Sequence, residues 1–167
     1  MAKADAKNVD VRLCAIVPVY RHEKASRAVV EKLVSYNLHV ILVDDGNAPE
    51  GHEILVQITK EFPNVELVTH KVNRGKGGAV RSGMEAAVAA GYTHALQVDA
   101  DGQHDMEAIP FFMKAAKKHP ADMICGFPQY DDSVPKSREN GRKVTNCWVA
   151  VETLSKDIPD AMCGFRV

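Results

Sequence analysis

Short, continuously apolar runs alternate with stretches of helical periodicity along this chain, and that alternation leaves few folds open. Arg12–Val19, Leu38–Val43, Val65–Thr69 and Thr93–Val98 lack the in–out pattern of a strand with one wet face. They read as strands covered on both sides. Between them, helical spacing places Ala28, Val29, Leu33 and Tyr36 on one face of Lys24–Tyr36. Ile54, Leu55, Ile58 and Phe62 mark a second helix, which Pro63-Asn64 stops. Ala79, Val80, Gly83, Met84, Ala87 and Val88 mark a third, with Gly91 suited to its C-terminal cap. Met106–Lys118 is a fourth, with Ile109, Phe112, Met113 and Ala116 inward, and Asp122–Cys125 reads as a short fifth strand. Phe127–Lys143 is polar, carries two prolines and reads as an exposed loop before a helix over Val144–Leu154. The pattern predicts βαβ units and a mostly parallel central sheet with helices on both faces. A length of 167 residues suits one domain, 1–167, with the polar residues 1–10 expected to be disordered.

In an open parallel sheet, ligands bind outside the carboxyl ends of the strands. Three of the first four predicted strands end in distinctive polar residues: Pro18-Val19-Tyr20-Arg21-His22-Glu23, Asp44-Asp45-Gly46, and Asp99-Ala100-Asp101-Gly102-Gln103-His104. The topology should bring all three to one edge. The acid pair at Asp99 and Asp101 is the most pointed. Carboxylate oxygens suit Mg²⁺ or Mn²⁺, ions that keep water and substrate phosphates in their remaining positions. Alone, the triplet reads first as a solvated turn or a helix cap, and Asp44-Asp45-Gly46 as an ordinary turn. Position at strand ends favours a site, with an aspartate at 44 placed to accept hydrogen bonds from a ribose or a base N–H. Gly75-Lys76-Gly77-Gly78 precedes a helix whose N–H groups could meet an anion. It is neither a P-loop nor a dinucleotide fingerprint. Lys76 or Arg74 sits near a diphosphate or is a solvated loop charge.

Several function classes are excluded. A formal net charge of −1 with no long basic run argues against nucleic-acid binding. No apolar run is long enough to cross a bilayer, and the polar start gives no expectation of a signal peptide, so a cytosolic location is the default. The four cysteines (Cys14, Cys125, Cys147 and Cys163) are scattered and read as reduced and structural. His104 and His22 share the polar strand ends; His39, His52, His70, His94 and His119 lack ligand spacing and read as surface or packing residues. No nucleophile motif of a hydrolase is present.

Ile16-Val17-Pro18-Val19-Tyr20, Val43-Asp44-Asp45-Gly46, Asn73-Arg74-Gly75-Lys76-Gly77-Gly78-Ala79 and Val98-Asp99-Ala100-Asp101-Gly102-Gln103-His104 resemble, in order and spacing, the landmarks of family-2 glycosyltransferases. The Asp-Ala-Asp-Gly-Gln-His form and the final Asp160-Ala161-Met162-Cys163-Gly164-Phe165-Arg166 are similar to the dolichyl- or polyprenyl-phosphate sugar transferase branch. The resemblance implies a GT-A type, Rossmann-like three-layer α/β sandwich with a mostly parallel central sheet. It implies an inverting, metal-dependent transfer of a sugar from a UDP- or GDP-linked nucleotide-sugar, with Mg²⁺ or Mn²⁺. The acceptor is preferably a polyprenyl phosphate. A saccharide hydroxyl in cell-surface glycan synthesis, or a nucleotide-sugar-binding domain without turnover, is the alternative. By the resemblance, Pro18, Tyr20 and Glu23 line the nucleoside pocket with Asp44 on the base and Asp45 beside it. Lys76 and Gly77 lie by the diphosphate, Asp99 serves ribose or metal, and Asp101 and Gln103 hold the ion.

A hydroxyl acceptor needs a general base, for which Asp160 is a candidate by position, although a turn residue is an equal reading. A lipid phosphate needs cations instead, and Lys136, Arg138 and Arg142 would serve unless they are an ordinary charged helix start. The first loop reads Tyr20-Arg21-His22-Glu23 where the family more often has Tyr-Asn-Glu. Family members also continue beyond the position of Val167, so the C-terminal part of the family fold is expected to be missing here. Peripheral contact with the inner face of a membrane is expected of the full-length protein.

Overall fold

The computed structural model describes residues 10–127, 136–154 and 163–167. The chain divides into two compact units, Met1–Ile124 with Phe165–Val167, and Cys125–Gly164. The first unit holds a four-stranded sheet of β1 (Leu13–Val19), β2 (His39–Asp44), β3 (Val65–Thr69) and β4 (His94–Gln97). All pairings are parallel and the order is β3-β2-β1-β4. The chain thus steps outward from β1 to β3, then returns across the sheet to place β4 on the other side of β1. That reversal opens a crevice between the carboxyl ends of β1 and β4.

The crossovers are α1 (Glu23–Ser35), α2 (Pro49–Glu61) and α3 (Gly75–Ala89), with α4 (Ile109–Lys118) after β4. Successive strand residues face opposite sides. Cys14, Ile16, Ile41 and Val43 form one buried cluster with Ala79 and Ala87 of α3. Their neighbours Ala15, Val17, Val40 and Leu42 are fully buried on the other face. There Val29, Val30 and Leu33 of α1 and Leu55 and Ile58 of α2 supply the inward stripes. The sheet is therefore covered on both faces, as the continuous apolar runs predict.

Helix α3 buries Ala79, Gly83 and Ala87, not the larger Met84 and Val88 that share its period and stay exposed. Small residues let the helix lie low on the sheet. A Cβ at Gly83 would stand 2.5 Å from Ile16 Cγ2 and 3.2 Å from Val43 Cγ2.

Two segments differ from the sequence expectation. Asp122–Cys125 forms no extended strand. Ile124 and Val167 exchange backbone hydrogen bonds of 3.0 and 2.9 Å, and Arg166 bridges antiparallel to Gln97. The expected fifth strand is thus replaced at the β4 edge by the final residues, which sit between Gln97 and Ile124. In the second unit, α5 spans Lys136–Thr153, starting well before Val144. Lys136, Arg138 and Glu139 are good helix formers, and Pro135 directly before them in the sequence suits a helix start.

Candidate functional site

A cleft of about 340 Å³ opens at the β1/β4 switch point. Its lining comes from four chain segments: Pro18, Val19, Tyr20 and His22 at the end of β1; Asp45 after β2; Asn73, Gly75, Lys76 and Ala79 at the start of α3; and Asp99, Ala100 and Asp101 after β4. The size falls within the range of small-ligand sites.

Asp45 is the buried anchor of the cleft, 2% exposed. Its Oδ1 accepts from His70 Nδ1 at 2.7 Å and from the Arg74 backbone N–H at 2.9 Å. A carboxylate only accepts, so His70 Nδ1 carries the proton, and the Ser82 hydroxyl lies 2.8 Å from Nε2. Asn73 Nδ2 donates to the Asp45 carbonyl at 3.2 Å. The two loops meet closely enough that Gly46, with φ +74°, has no room for a side chain: a Cβ there would stand 2.6 Å from Asn73 N.

Asp44 plays a different part. Its Oδ1 accepts from the Asn47 backbone N–H (2.9 Å) and from Asn47 Nδ2 (2.7 Å), and its Oδ2 meets His52 Nδ1 at 2.7 Å. Burial pushes its carboxyl up, but the Asn47 amides and His52 outweigh this and hold it below the ordinary carboxylate value. With both oxygens engaged, Asp44 ties the β2 turn to the start of α2 and is not part of the cleft lining.

Asp99 faces two basic side chains, Lys76 and His104. The Lys76 ammonium lies 2.7 Å from both of its oxygens, with the directed hydrogen bond to Oδ2. His104 Nε2 stands 3.4 Å from Oδ2, an electrostatic contact too long for a well-formed hydrogen bond. Burial raises the Asp99 pKa, but His104 and Lys76 together bring it down from 3.8 to about 2. The buried Oδ1 receives no directed donor. Asp101, two residues on, accepts the Gln103 backbone N–H at Oδ1 (3.0 Å), a local turn bond that fixes the carboxylate. Stacking of the His104 ring on Phe165, with centroids 4.9 Å apart, holds the end of this turn, and Phe165 packs in turn on Phe112 at 4.4 Å.

The residues present fit a Mg²⁺ or Mn²⁺ site completed by a ligand. Among the described residues no three His, Cys, Asp or Glu side chains converge as a self-sufficient cage. What the cleft offers is two hard carboxylates, one with a buried oxygen lacking a directed donor. That is the partial donor set such ions accept when a phosphate brings the rest.

Of the residues singled out in the sequence, the fold brings Pro18, Tyr20, Asp45, Lys76, Asp99 and Asp101 into one cleft. Glu23 lies against Gly51 at the start of α2, its Oε2 buried without a hydrogen bond, and does not line the cleft. Gly77 and the Gln103 side chain are also absent from the lining. Asp160 and the side chain of Arg138 lie outside the described residues. His70, Asn73, Ser82 and Phe165 are the residues sequence reasoning missed as parts of the site. His70 had a usable signal: it directly follows β3, so it reaches the same sheet edge as the acids.

The profile described as Glycosyl transferase family 2 matches residues 14–165. A dolichyl-phosphate beta-glucosyltransferase of Dictyostelium discoideum is 26% identical, over 95% of this chain and 54% of its own length. A UDP-N-acetylglucosamine–dolichyl-phosphate N-acetylglucosaminyltransferase of Methanococcus voltae is 32% identical over 60% of this chain and 45% of its own. The chain thus spans about half the length of these curated relatives. Among solved structures, a mannosyltransferase from Pyrobaculum calidifontis in complex with GDP-Man and Mn²⁺ superposes with a TM-score of 0.56. The identity is 20%, over 74% of this chain and 40% of that one, and the likeness supports the GT-A fold.

Proposed function

The chain belongs to glycosyl transferase family 2, and on that footing we propose that its cleft holds a UDP- or GDP-linked sugar and passes the sugar, with inversion, to a polyprenyl phosphate. The observation that carries this reading is the convergence of Asp45, Lys76, Asp99 and Asp101 at the switch point of a parallel sheet. In this reading Pro18 and Tyr20 form the wall against the nucleoside, and Asp45, locked by His70, presents an acceptor to base or ribose. Lys76 and the first N–H groups of α3 meet the diphosphate. Asp99 and Asp101 would hold a divalent cation, with Gln103 assisting, and the chemistry it would supply there is Lewis-acid neutralisation of the leaving diphosphate. Glu23 and Asp44 then act indirectly, by holding the loops that frame the nucleoside. Gly77 keeps the start of α3 open to a phosphate.

A phosphate acceptor has no proton to lose at neutral pH and needs cations rather than a base. Lys136, Arg138 and Arg142, all on α5, are the proposed cations. For a saccharide hydroxyl, Asp160 would be the base. No helix among the described residues is long and apolar enough to cross a membrane. The proposal places the full-length protein at the cytoplasmic face of a membrane, where a lipid phosphate is met. Because this chain spans about half of those relatives, donor binding without turnover is the second reading.

Thermal melting with UDP, GDP and CDP, each with and without Mn²⁺, tests the donor site. A nucleoside diphosphate with Mn²⁺ at a hundred times its Kd stabilises by about 2.7 kcal/mol. Asp101→Ala is expected to abolish the metal-dependent part of that shift while leaving the ligand-free melting point within about 2 °C, as for a surface substitution. No shift with any nucleoside diphosphate plus metal overturns the reading.

A further inference from the structure

Lys76 and Asp99 are arranged for an exchange of partners. The ammonium covers both Asp99 oxygens at 2.7 Å, and so occupies the face of the carboxylate that a cation in the cleft would use. Resting on the donor-site reading above, we propose that Lys76 is a built-in stand-in for the divalent cation. Its release from Asp99 by an incoming diphosphate then couples metal loading to nucleotide loading.

Three features support this. The Lys76 side chain is half exposed and flanked by Gly75 and Gly77, around which a Cβ would meet nothing within 4 Å, so it has room to swing. It sits in the first turn of α3, where no acidic residue offsets the exposed N–H groups. A cation there is disfavoured by the helix dipole unless an anion is near, and Asp99 is that anion in the free protein. A diphosphate arriving at the same helix start satisfies both the N–H groups and the ammonium. Asp99 is then freed for the metal.

The consequence is reciprocal: metal alone binds weakly because it must displace Lys76, and diphosphate and metal strengthen each other. The lysine also keeps a half-buried carboxylate neutralised when the cleft is empty, which spares the fold an uncompensated charge.

Mn²⁺ binding followed by electron paramagnetic resonance, with and without UDP or GDP, tests this on the wild type, Lys76→Met and Lys76→Arg. Lys76→Met is expected to bind Mn²⁺ alone about fivefold more tightly, the equivalent of releasing one ordinary ion pair, and to lose most of the nucleotide's enhancement. Lys76→Arg keeps the charge and is expected to behave as wild type. If the wild type shows nucleotide-dependent Mn²⁺ binding but Lys76→Met binds Mn²⁺ alone no more tightly, the exchange is overturned and the donor site stands. If no nucleoside diphosphate strengthens Mn²⁺ binding to the wild type, the donor-site reading itself falls.

Discussion

His70→Ala separates a packing histidine from one that aims a carboxylate. The imidazole is buried, and its two nitrogens reach Asp45 at 2.7 Å and Ser82 at 2.8 Å. Removing it deletes a hydrogen bond to a buried charged group, a change of roughly 1.5–3 kcal/mol, and leaves Asp45 with the Arg74 N–H on Oδ1. Loss of the Ser82 contact and the small void bring the total to about 3 kcal/mol. For a chain of this size that lowers Tm by about 6–12 °C. Chemical denaturation of the single variants, Asp45→Asn and the pair closes a double-mutant cycle. The expected coupling is about 1–2 kcal/mol, because Asp45→Asn removes less once its donor is gone. Because Asp45 lines the cleft, nucleoside-diphosphate affinity is expected to fall with His70→Ala. A loss below ~1 kcal/mol, or an Asp45→Asn effect identical in both backgrounds, would refute the idea that His70 holds the carboxylate.

Other expectations follow from the same geometry. Asp99 has a folded pKa of about 2 against 3.8 unfolded, so its contribution is complete above 3.8 and disappears as pH falls toward about 2. Asp99→Asn should therefore flatten the acid limb of stability by ~1–2 kcal/mol, and an acid limb unchanged in urea melts would remove the Lys76–Asp99 pair as its cause. Gly83→Ala sets about 1 kcal/mol of gained helix propensity against overpacking of typically 1–3 kcal/mol. A Cβ 2.5 Å from the fully buried Ile16 makes the clash win, so a net loss of ~1–2 kcal/mol is expected, and a stabilised variant would show that α3 can lift freely from the sheet.

Most of the fold was legible because β1, β2 and β4 are apolar runs that only a doubly covered parallel sheet accommodates, and their polar ends marked the working edge. What was not legible depends on partners distant in sequence. Asp44 and Asp45 are alike as a pair of adjacent acids, and what sets Asp45 in the cleft is His70, 25 residues on, while Asp44 is taken up by Asn47 and His52. The apolar run at Asp122–Cys125 looked strand-like, yet a strand needs an edge, and the edge of β4 is taken by Arg166. Helix periodicity for α3 included Met84 and Val88, because a period alone does not say that the sheet demands small residues on that side.

The seat of the acid turn on Phe165 has a bearing on the order of synthesis. Everything needed for the four-strand sheet precedes residue 98, so that sheet can form while the last third of the chain is still being made. The His104 end of the turn bearing Asp99 and Asp101 gains its last brace only when Phe165 arrives to stack on His104 and Arg166 pairs with Gln97. Contacts this distant along the chain are slow to close. A nascent chain therefore carries a folded scaffold before it carries a finished acid turn.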